Sequence, residues 1–294
     1  MTGMAPRYDL DLFKALNDEY KDKRIVPAPR KMDPESLEAE ARRRAQQLDN
    51  RLGGIRGARV LEVGAGRGQL CGVLAEELDC DVTGIDVVEY ETWDDARKGV
   101  RLLRADVAGD VSELGRFDFI YSYSVWEHIE HPYAALVNAR ELLVPGGRMF
   151  LQAQLYRGPK ASHRYRQVFF PWPHLLFDDE VFEAFYRSIG RDPMRAAWVN
   201  KLTYAHYLMY FDLAGYEQQR VRVSDPIFDD DFYARFEEVL GAYPRWDLSR
   251  DVIFATLVRP KQPAKPKSTA RPAPSFARRV ARGVRRRVRQ RLPR

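Results

Sequence analysis

The chain has 294 residues, of which 45% are hydrophobic, so it is long enough for one large domain with a sizeable core or for two small ones. Its two cysteines, Cys71 and Cys80, exclude a disulfide-rich scaffold and indicate buried free thiols. The N-terminus has no apolar signal segment and no later run approaches about 18 apolar residues, so we expect a cytoplasmic protein that does not span a membrane.

The charge is distributed unevenly along the chain. The formal net charge is +6, but residues 261–294 contain thirteen Lys or Arg and no acid. Residues 1–260 therefore hold 35 basic against 42 acidic side chains, a net charge of about −7. A mildly acidic body is not, as a whole, a surface for nucleic acid.

The first 57 residues predict a helical N-terminal extension or lid. "DLDLFKALNDEY" is amphipathic, and Pro34 opens a charged helix that ends at Gly53-Gly54. From residue 58 onward, strands and helices alternate. The predicted strands are "ARVLEVG", "CDVTGIDV", "VRLLRADV", "FDFIYSYS" and "RMFLQAQL", and the predicted helices are "GQLCGVLAEEL", "YETWDDARKG" and "PYAALVNARELL". This spacing predicts a parallel, doubly wound sheet.

The alternation stops after the fifth strand. Residues 156–197 form an aromatic-rich insertion, followed by a helix, "NKLTYAHYLMYFDLAG", and a strand, "YEQQRVRVS". A second helix, near "DDFYARFEEVLGAY", precedes the last strand, "DVIFATLVR", which should pair antiparallel. We therefore predict an α/β, Rossmann-like domain over 58–260, with a seven-stranded, mostly parallel sheet and an antiparallel last strand.

Residues 261–294 read as a Pro-rich linker and a basic amphipathic tail. In residues 275–294, apolar side chains recur at every fourth position (Phe276, Val280, Val284, Val288 and Leu292), with arginines around them. Such a segment is expected at an anionic membrane surface, which would make the protein peripheral on the inner membrane face. RNA is an alternative partner, and a solvated tail without a partner is the third alternative.

Three glycines follow the first strand in "VLEVGAGRG". The spacing of Gly64, Gly66 and Gly68 is G-x-G-x-G, whereas the dinucleotide fingerprint is G-x-G-x-x-G. Glu62 stands two residues before the first glycine, where it would disfavour a pyrophosphate but tolerate an ammonium or sulfonium group. Asp86, at the end of the second strand, can accept hydrogen bonds from ribose hydroxyls.

Five motifs in this order resemble those of the class I S-adenosylmethionine-dependent methyltransferases with a type 11-like domain. They are "LEVGAGRG", "GIDV", "ADV", "FDFIYSYSVWEHI" and "LLVPGGRMFL". The resemblance covers residues 58–155 and the terminal strand pair, and it implies that the cofactor is S-adenosyl-L-methionine. It implies that the cofactor is bound by Glu62, Gly64, Ala65, Gly66, Gly68, Asp86, Val87, Asp106, Val107, Ser122 and Tyr123.

Methyl transfer to an alcohol requires alignment of the two reactants and removal of a proton. The candidate bases are the five histidines, His128, His131, His163, His174 and His206, because imidazole titrates near neutral pH. We predict catalytic roles for His128 and Glu127, in "SVWEH" at the end of the fourth strand, and for His174 in the insertion.

The segment "SVWEH" also resembles the E-x-x-E-H metal site of small-RNA 2′-O-methyltransferases and some quinone O-methyltransferases. Ser124 stands where that motif has its first Glu, so one ligand is missing and we predict no metal site. In that case Glu127 and His128 would shape the floor of the pocket through hydrogen bonds.

The rings of the insertion suit a sugar or an aromatic acceptor, or alternatively a small satellite core. They are Tyr156, Tyr165, Phe169, Phe170, Trp172 and Phe177. A looser similarity of "LNDEY", "PWPHLLFDDE" and "DVIFATLVRP" to bacterial methyltransferases of glycan and glycolipid assembly favours a sugar hydroxyl. An RNA 2′-O-methyltransferase, a phenol or quinone O-methyltransferase and an inactive cofactor-binding scaffold are the alternatives.

Overall fold

A seven-stranded sheet organises the computed structural model, which describes residues 8–23, 33–94, 97–164, 166–192 and 199–261. The predicted basic tail and nearly all of the linker, from residue 262 onward, lie outside the described residues, as does Tyr165. The strands are β1 (Arg59–Val63), β2 (Asp81–Asp86), β3 (Val100–Arg104), β4 (Phe117–Tyr123), β5 (Leu143–Gln154), β6 (Glu217–Val223) and β7 (Val252–Val258).

The strand order is β3-β2-β1-β4-β5-β7-β6, with β1 to β5 parallel and β7 antiparallel to both of its neighbours. The predicted fold class is therefore confirmed. The chain order reverses between β1 and β4, and at such a switch point the helices after the two strands leave on opposite faces and open a crevice for ligands.

The described helices lie on both faces of the sheet and at its carboxyl edge. They are α1 (Leu10–Glu19), α2 (Pro34–Leu52), α3 (Gln69–Leu78), α4 (Pro132–Leu142), α5 (Pro173–Leu176), α6 (Asp179–Ser188), α7 (Tyr204–Leu213), α8 (Asp230–Arg235), α9 (Glu237–Leu240) and α10 (Arg245–Leu248). None of the described helices is long and apolar enough to cross a bilayer.

Each face of the sheet is covered by its own hydrophobic core. Alternating strand residues send Leu61 and Ile120 toward α4 and α7, and Val60, Tyr121 and Phe150 toward α2 and α3. The two cysteines belong to the second of these cores and are free thiols, as the sequence predicted. Burial raises the pKa of both thiols, so neither is a reactive thiolate at neutral pH.

A third core joins α1 to the insertion and to α8. Phe13 of α1 is fully buried, and its ring centroid lies 5.1 Å from that of Phe170 and 4.9 Å from that of Phe177. Trp172 is also fully buried, and its indole donates to the backbone carbonyl of Leu248. These three insertion rings therefore cannot stack on an acceptor, and for them the satellite core, not the acceptor platform, is correct.

Two predicted helices differ in the structure. "YETWDDARKG" forms only a short 3₁₀ turn, Glu91–Trp93, in its described part. There Trp93 Nε1 donates to Gly66 O at 2.7 Å and Thr92 Oγ1 to Arg67 O at 3.0 Å, so contacts with the glycine turn replace a helical turn. The helix predicted near 230–243 divides into α8 and α9, because Phe236 leaves helical geometry where its ring packs against Phe232.

Candidate active site

The glycine turn connects β1 to α3 through left-handed backbone. Gly64, Gly66 and Gly68 have φ values of 81°, 53° and 80°, a region that disfavours residues with a Cβ. A Cβ on Gly64 would lie 2.1 Å from a methyl carbon of Val125, whereas one on Gly66 would meet no atom within 4 Å. Gly64 thus allows the segment after β4 to pack closely, and Gly66 leaves its side of the turn open.

The carboxylate of Asp86 links the end of β2 to this turn through a hydrogen bond. One carboxylate oxygen accepts from Gly66 N at 2.9 Å and the other from Val88 N at 3.1 Å. Asp106, after β3, accepts in the same way from Ala108 N at 2.8 Å. Each of these oxygens keeps a second lone pair for a ligand.

A cavity of about 370 Å³ opens between the carboxyl ends of β1 to β4. Four of the predicted cofactor residues after β2 and β3 line it, namely Asp86, Val87, Asp106 and Val107, together with Ser124 and His128. These four residues therefore border one cavity, and their binding of the cofactor stays a prediction.

A second cavity, of about 690 Å³, lies between the glycine turn and α2. Glu62, Gly64, Ala65, Gly66 and Tyr123 line its inner wall, and Gly64 also borders the smaller cavity. Its outer wall is mostly polar and comes from α2 and the segments around α3, with Ser36, Glu40, Arg43, Arg44, Arg67, Gln69 and Tyr90 among its members.

Glu62 is a buried carboxylate beside this second cavity. It accepts from Tyr121 OH at 2.8 Å and from Cys71 Sγ at 2.9 Å. Burial raises the pKa of Glu62 to about 7, and the two hydrogen bonds oppose that rise. A cationic group in the cavity would favour the ionised form.

The two cavities together fit S-adenosylmethionine. The smaller one offers carboxylates at Asp86 and Asp106, which suit ribose hydroxyls and an adenine amino group, and the larger one offers the buried carboxylate of Glu62, which suits an ammonium group. Gly64 borders both cavities, and Gly66 is open toward the larger one. The assignment of each contact to a part of the cofactor stays a prediction.

Two of the predicted cofactor residues line neither cavity. Gly68 is the residue before α3, where a Cβ would lie 2.8 Å from a methyl carbon of Leu102, so its described role is to start the helix. Ser122 is fully buried in β4, and its Oγ has no partner among the described residues. Ser124, two residues on, borders the smaller cavity with a left-handed φ of 57°.

Three side chains with proton-transfer or metal-binding capacity meet after β4. One possible ligand atom from each of Glu127, His128 and His163 lies within 4.8 Å of the others. The ring centroids of His128 and His163 are 4.8 Å apart, and both carboxylate oxygens of Glu127 are buried without a described partner. Burial raises the pKa of Glu127, whereas burial, followed by the nearby His128, lowers the pKa of His163 to about 4.

The partnership of His163 with His128 is not visible in the sequence. His163 is one of the five candidate bases, and nothing in its spacing from "SVWEH" indicates contact. Two imidazoles and one carboxylate suit a transition metal such as Zn²⁺ or Mn²⁺ better than Mg²⁺, which prefers several oxygen ligands. The prediction that no metal takes part remains to be tested.

His174 is placed differently from the other predicted catalytic residues. Its Nε2–H donates to the backbone carbonyl of Tyr156 at 2.6 Å, and its Nδ1 is buried without a described partner. Burial lowers its pKa to about 4, so the ring is neutral at physiological pH. His174 lines neither cofactor cavity, and its observed contacts support the insertion.

Comparison with known proteins identifies the family. The family model described as a methyltransferase domain matches residues 37–191, more than half of the chain. The chain belongs to this methyltransferase family. With its sheet order and motifs, it is a class I S-adenosylmethionine-dependent methyltransferase.

Two bacterial relatives and one solved structure show the range of similarity. The ubiquinone biosynthesis O-methyltransferase of Cereibacter sphaeroides is 29% identical over 55% of this chain and 73% of its own. That of Bordetella avium is 32% identical over 48% of this chain and 62% of its own. The phosphoethanolamine N-methyltransferase 2 of Haemonchus contortus, solved with S-adenosylhomocysteine, has a TM-score of 0.50 at 15% identity and shares the fold over 74% of this chain and 52% of its own.

Asp86→Ala should weaken binding of S-adenosylhomocysteine to the methyltransferase by about 1–3 kcal/mol, because charge-assisted hydrogen bonds to the ligand and to the glycine turn are lost together. Calorimetry measures the dissociation constant. Asp81→Ala, at the exposed opposite end of β2, is the control. An unchanged constant in a folded Asp86→Ala protein would place the ribose elsewhere.

The affinity for S-adenosylhomocysteine should rise about tenfold between pH 6 and pH 8. Only the ionised form of Glu62 attracts the ligand's ammonium group, and with a pKa of about 7 that form increases over this range. Titrations at several pH values measure the effect. Glu62→Gln should bind weakly at every pH, whereas Glu76→Gln, on the exposed side of α3, should keep the wild-type profile. A flat wild-type profile would contradict the contact.

Turnover should persist after treatment with a chelator and should not require added Mg²⁺, because Ser124 stands where the resembled metal motif has its first Glu and the cluster of Glu127, His128 and His163 provides a single carboxylate. Methyl transfer is measured before and after dialysis against EDTA, and the metal content is measured alongside. Activity that disappears on dialysis and returns with Zn²⁺ or Mn²⁺, except in a His163→Ala variant, would instead assign a metal to the cluster.

Proposed function

We propose that this methyltransferase methylates a hydroxyl oxygen, and that His128 removes the proton. The observation that carries the proposal is the position of His128, which lines the smaller cavity and contacts His163, with the Glu127 carboxylate beside both. An imidazole in this position can accept a proton from an alcohol within its reach.

When bound, S-adenosylmethionine supplies a methyl group that is already activated on a sulfonium. The protein therefore has to align the acceptor oxygen, exclude water and accept one proton. Glu62 lines the larger cavity and Asp86 the smaller one, so the two carboxylates bind opposite ends of the cofactor. An unprotonated ring nitrogen of His128 receives the hydroxyl proton. The nearby Glu127 carboxylate, when ionised, stabilises the imidazolium that forms.

For the acceptor, we propose a sugar hydroxyl on a glycan or glycolipid. The polar part of the lining of the larger cavity supports this class, since Ser36, Glu40, Arg43, Arg44 and Gln69 supply donors and acceptors suited to hydroxyl groups. Gly64 borders both cavities, so an acceptor in the larger cavity has to extend past Gly64 for its hydroxyl to reach His128. Phe170, Trp172 and Phe177 of the insertion are buried and do not contact an acceptor.

A small-molecule phenol or quinone is the second candidate. Two relatives are named ubiquinone biosynthesis O-methyltransferases, and this favours an aromatic hydroxyl. Incubation with radiolabelled S-adenosylmethionine and separate glycolipid, RNA and small-molecule fractions distinguishes these classes. Label in the glycolipid fraction supports the proposal, and label only in a phenol or quinone replaces it by the second candidate.

His128→Ala should lower kcat by about 10²–10⁴-fold, because the proton acceptor is lost, and should change the affinity for S-adenosylhomocysteine by much less. His131→Ala is the matched control, since His131 lines the same cavity but does not belong to the cluster with Glu127 and His163. Rate and binding are measured on the same preparations. If His131→Ala has the larger effect on kcat, the base has been assigned to the wrong imidazole.

A further inference from the structure

Three arginines converge on a cavity of about 190 Å³ whose described lining shares no residue with that of either cofactor cavity. Arg51 comes from the last turn of α2, and Arg220 and Arg222 come from the edge strand β6. Phe150, Phe254 and Thr256 complete the lining.

The positive charges at this cavity are not balanced. No acidic side chain belongs to its described lining, and the described ion pairs join other arginines to acids, such as Arg42 to Glu77 and Arg59 to Asp118. The Arg51 guanidinium lies 4.8 Å from the ring centroid of Phe150 and 5.6 Å from that of Phe254. Burial is the main factor that lowers the pKa of Arg51, and the neighbouring charges of Arg222 and Arg220 lower it further.

Protection of a sheet edge accounts for only part of this arrangement. Charged side chains on an edge strand prevent pairing with other chains, and for that purpose they need only point into solvent. Here two edge arginines face a third from α2 across one cavity, in a body whose net charge is about −7. Repulsion among three like charges is relieved when an anion lies between them.

The strand register places this cavity beside the larger cofactor cavity. Tyr123 of β4 pairs with Gln152, which pairs with Phe254, which pairs with Arg222. Side chains in such a row point to the same face of the sheet. Tyr123 lines the larger cavity, and three strand spacings of about 4.8 Å separate its Cα from that of Arg222, about 14 Å in all.

We propose that Arg51, Arg220 and Arg222 bind a phosphate or diphosphate group carried by the methyl acceptor. Guanidinium groups match phosphate oxygens in bidentate geometry, and the rings of Phe150 and Phe254 hold Arg51 in place. Given the proposed sugar O-methylation, on which this inference rests, the substrate class is a phosphorylated glycan that extends from the larger cofactor cavity to the arginines, since the Cα atoms of Tyr123 and Arg222 lie about 14 Å apart.

The binding test uses the full chain with inorganic pyrophosphate, glucose 1-phosphate and methyl glucoside as probes. Arg220 and Arg222 are exposed, so the double variant Arg220→Gln, Arg222→Gln should fold normally. The double variant Arg56→Gln, Arg187→Gln removes the same charge from two exposed sites elsewhere and is the control. All three proteins contain the same basic C-terminal residues, so differences between them report the cavity.

Pyrophosphate and glucose 1-phosphate should bind the wild type and the control equally, and the Arg220, Arg222 variant at least about tenfold more weakly. Methyl glucoside, which lacks phosphate, should not distinguish the proteins. Equal affinities in all three proteins overturn the proposal. If pyrophosphate binds but glucose 1-phosphate does not, the cavity accepts free anions only, and this result also contradicts the proposal.

An experiment with lipid vesicles tests whether the cavity binds the phosphate of a lipid headgroup rather than that of a sugar phosphate. If the Arg220, Arg222 variant loses flotation with phosphatidylglycerol vesicles but keeps its affinity for glucose 1-phosphate, the cavity faces a lipid surface and the proposal is wrong. None of these measurements requires methyl transfer. A failure of the proposed O-methylation therefore appears only in the labelling assay, and a failure of the phosphate site appears only here.

Discussion

The hydrogen bond from Gly66 N to Asp86 joins the glycine turn after β1 to the end of β2, and the candidate active site depends on this connection. It forms because Gly66 can adopt a left-handed conformation and because β1 and β2 are parallel neighbours whose carboxyl ends reach the same edge. This hydrogen bond holds the glycine turn against the end of β2. The smaller cavity lies on one side of the turn and the larger cavity on the other. Trp93 adds a second contact to the turn, because its indole N–H donates a hydrogen bond to the carbonyl of Gly66.

Much of the fold could be predicted from the sequence because its signals are local. Alternating strands and helices, glycines after β1 and acids after β2 and β3 each follow from a few neighbouring residues. They indicated a doubly wound sheet with its ligand site at the carboxyl edge. The antiparallel end of the sheet followed from a short connection between two late strands.

The rest depends on contacts between distant parts of the chain. His163 reaches His128 only because the insertion folds back over the end of β4, and no spacing rule encodes that path. The burial of Phe170 and Phe177 depends on α1, which supplies Phe13 from the other end of the sequence. The arginine cavity likewise requires the register of β6 on β7, which places Arg222 opposite Phe254, and the position of α2 above them. Around Trp93, the local sequence favours a helix, but the hydrogen bond of the Trp93 indole to the glycine turn goes with a short 3₁₀ turn instead.

The hydrogen bond of Trp93 gives the enzyme an optical consequence as well. An indole whose N–H donates to the Gly66 carbonyl, at the wall of the cofactor cavity, has an excited state that responds to changes in polarity at that carbonyl. Trp126 and Trp172 are fully buried, so their indoles have less access to solvent than that of Trp93. The fold thus contains a fluorophore against its glycine turn, without any added label.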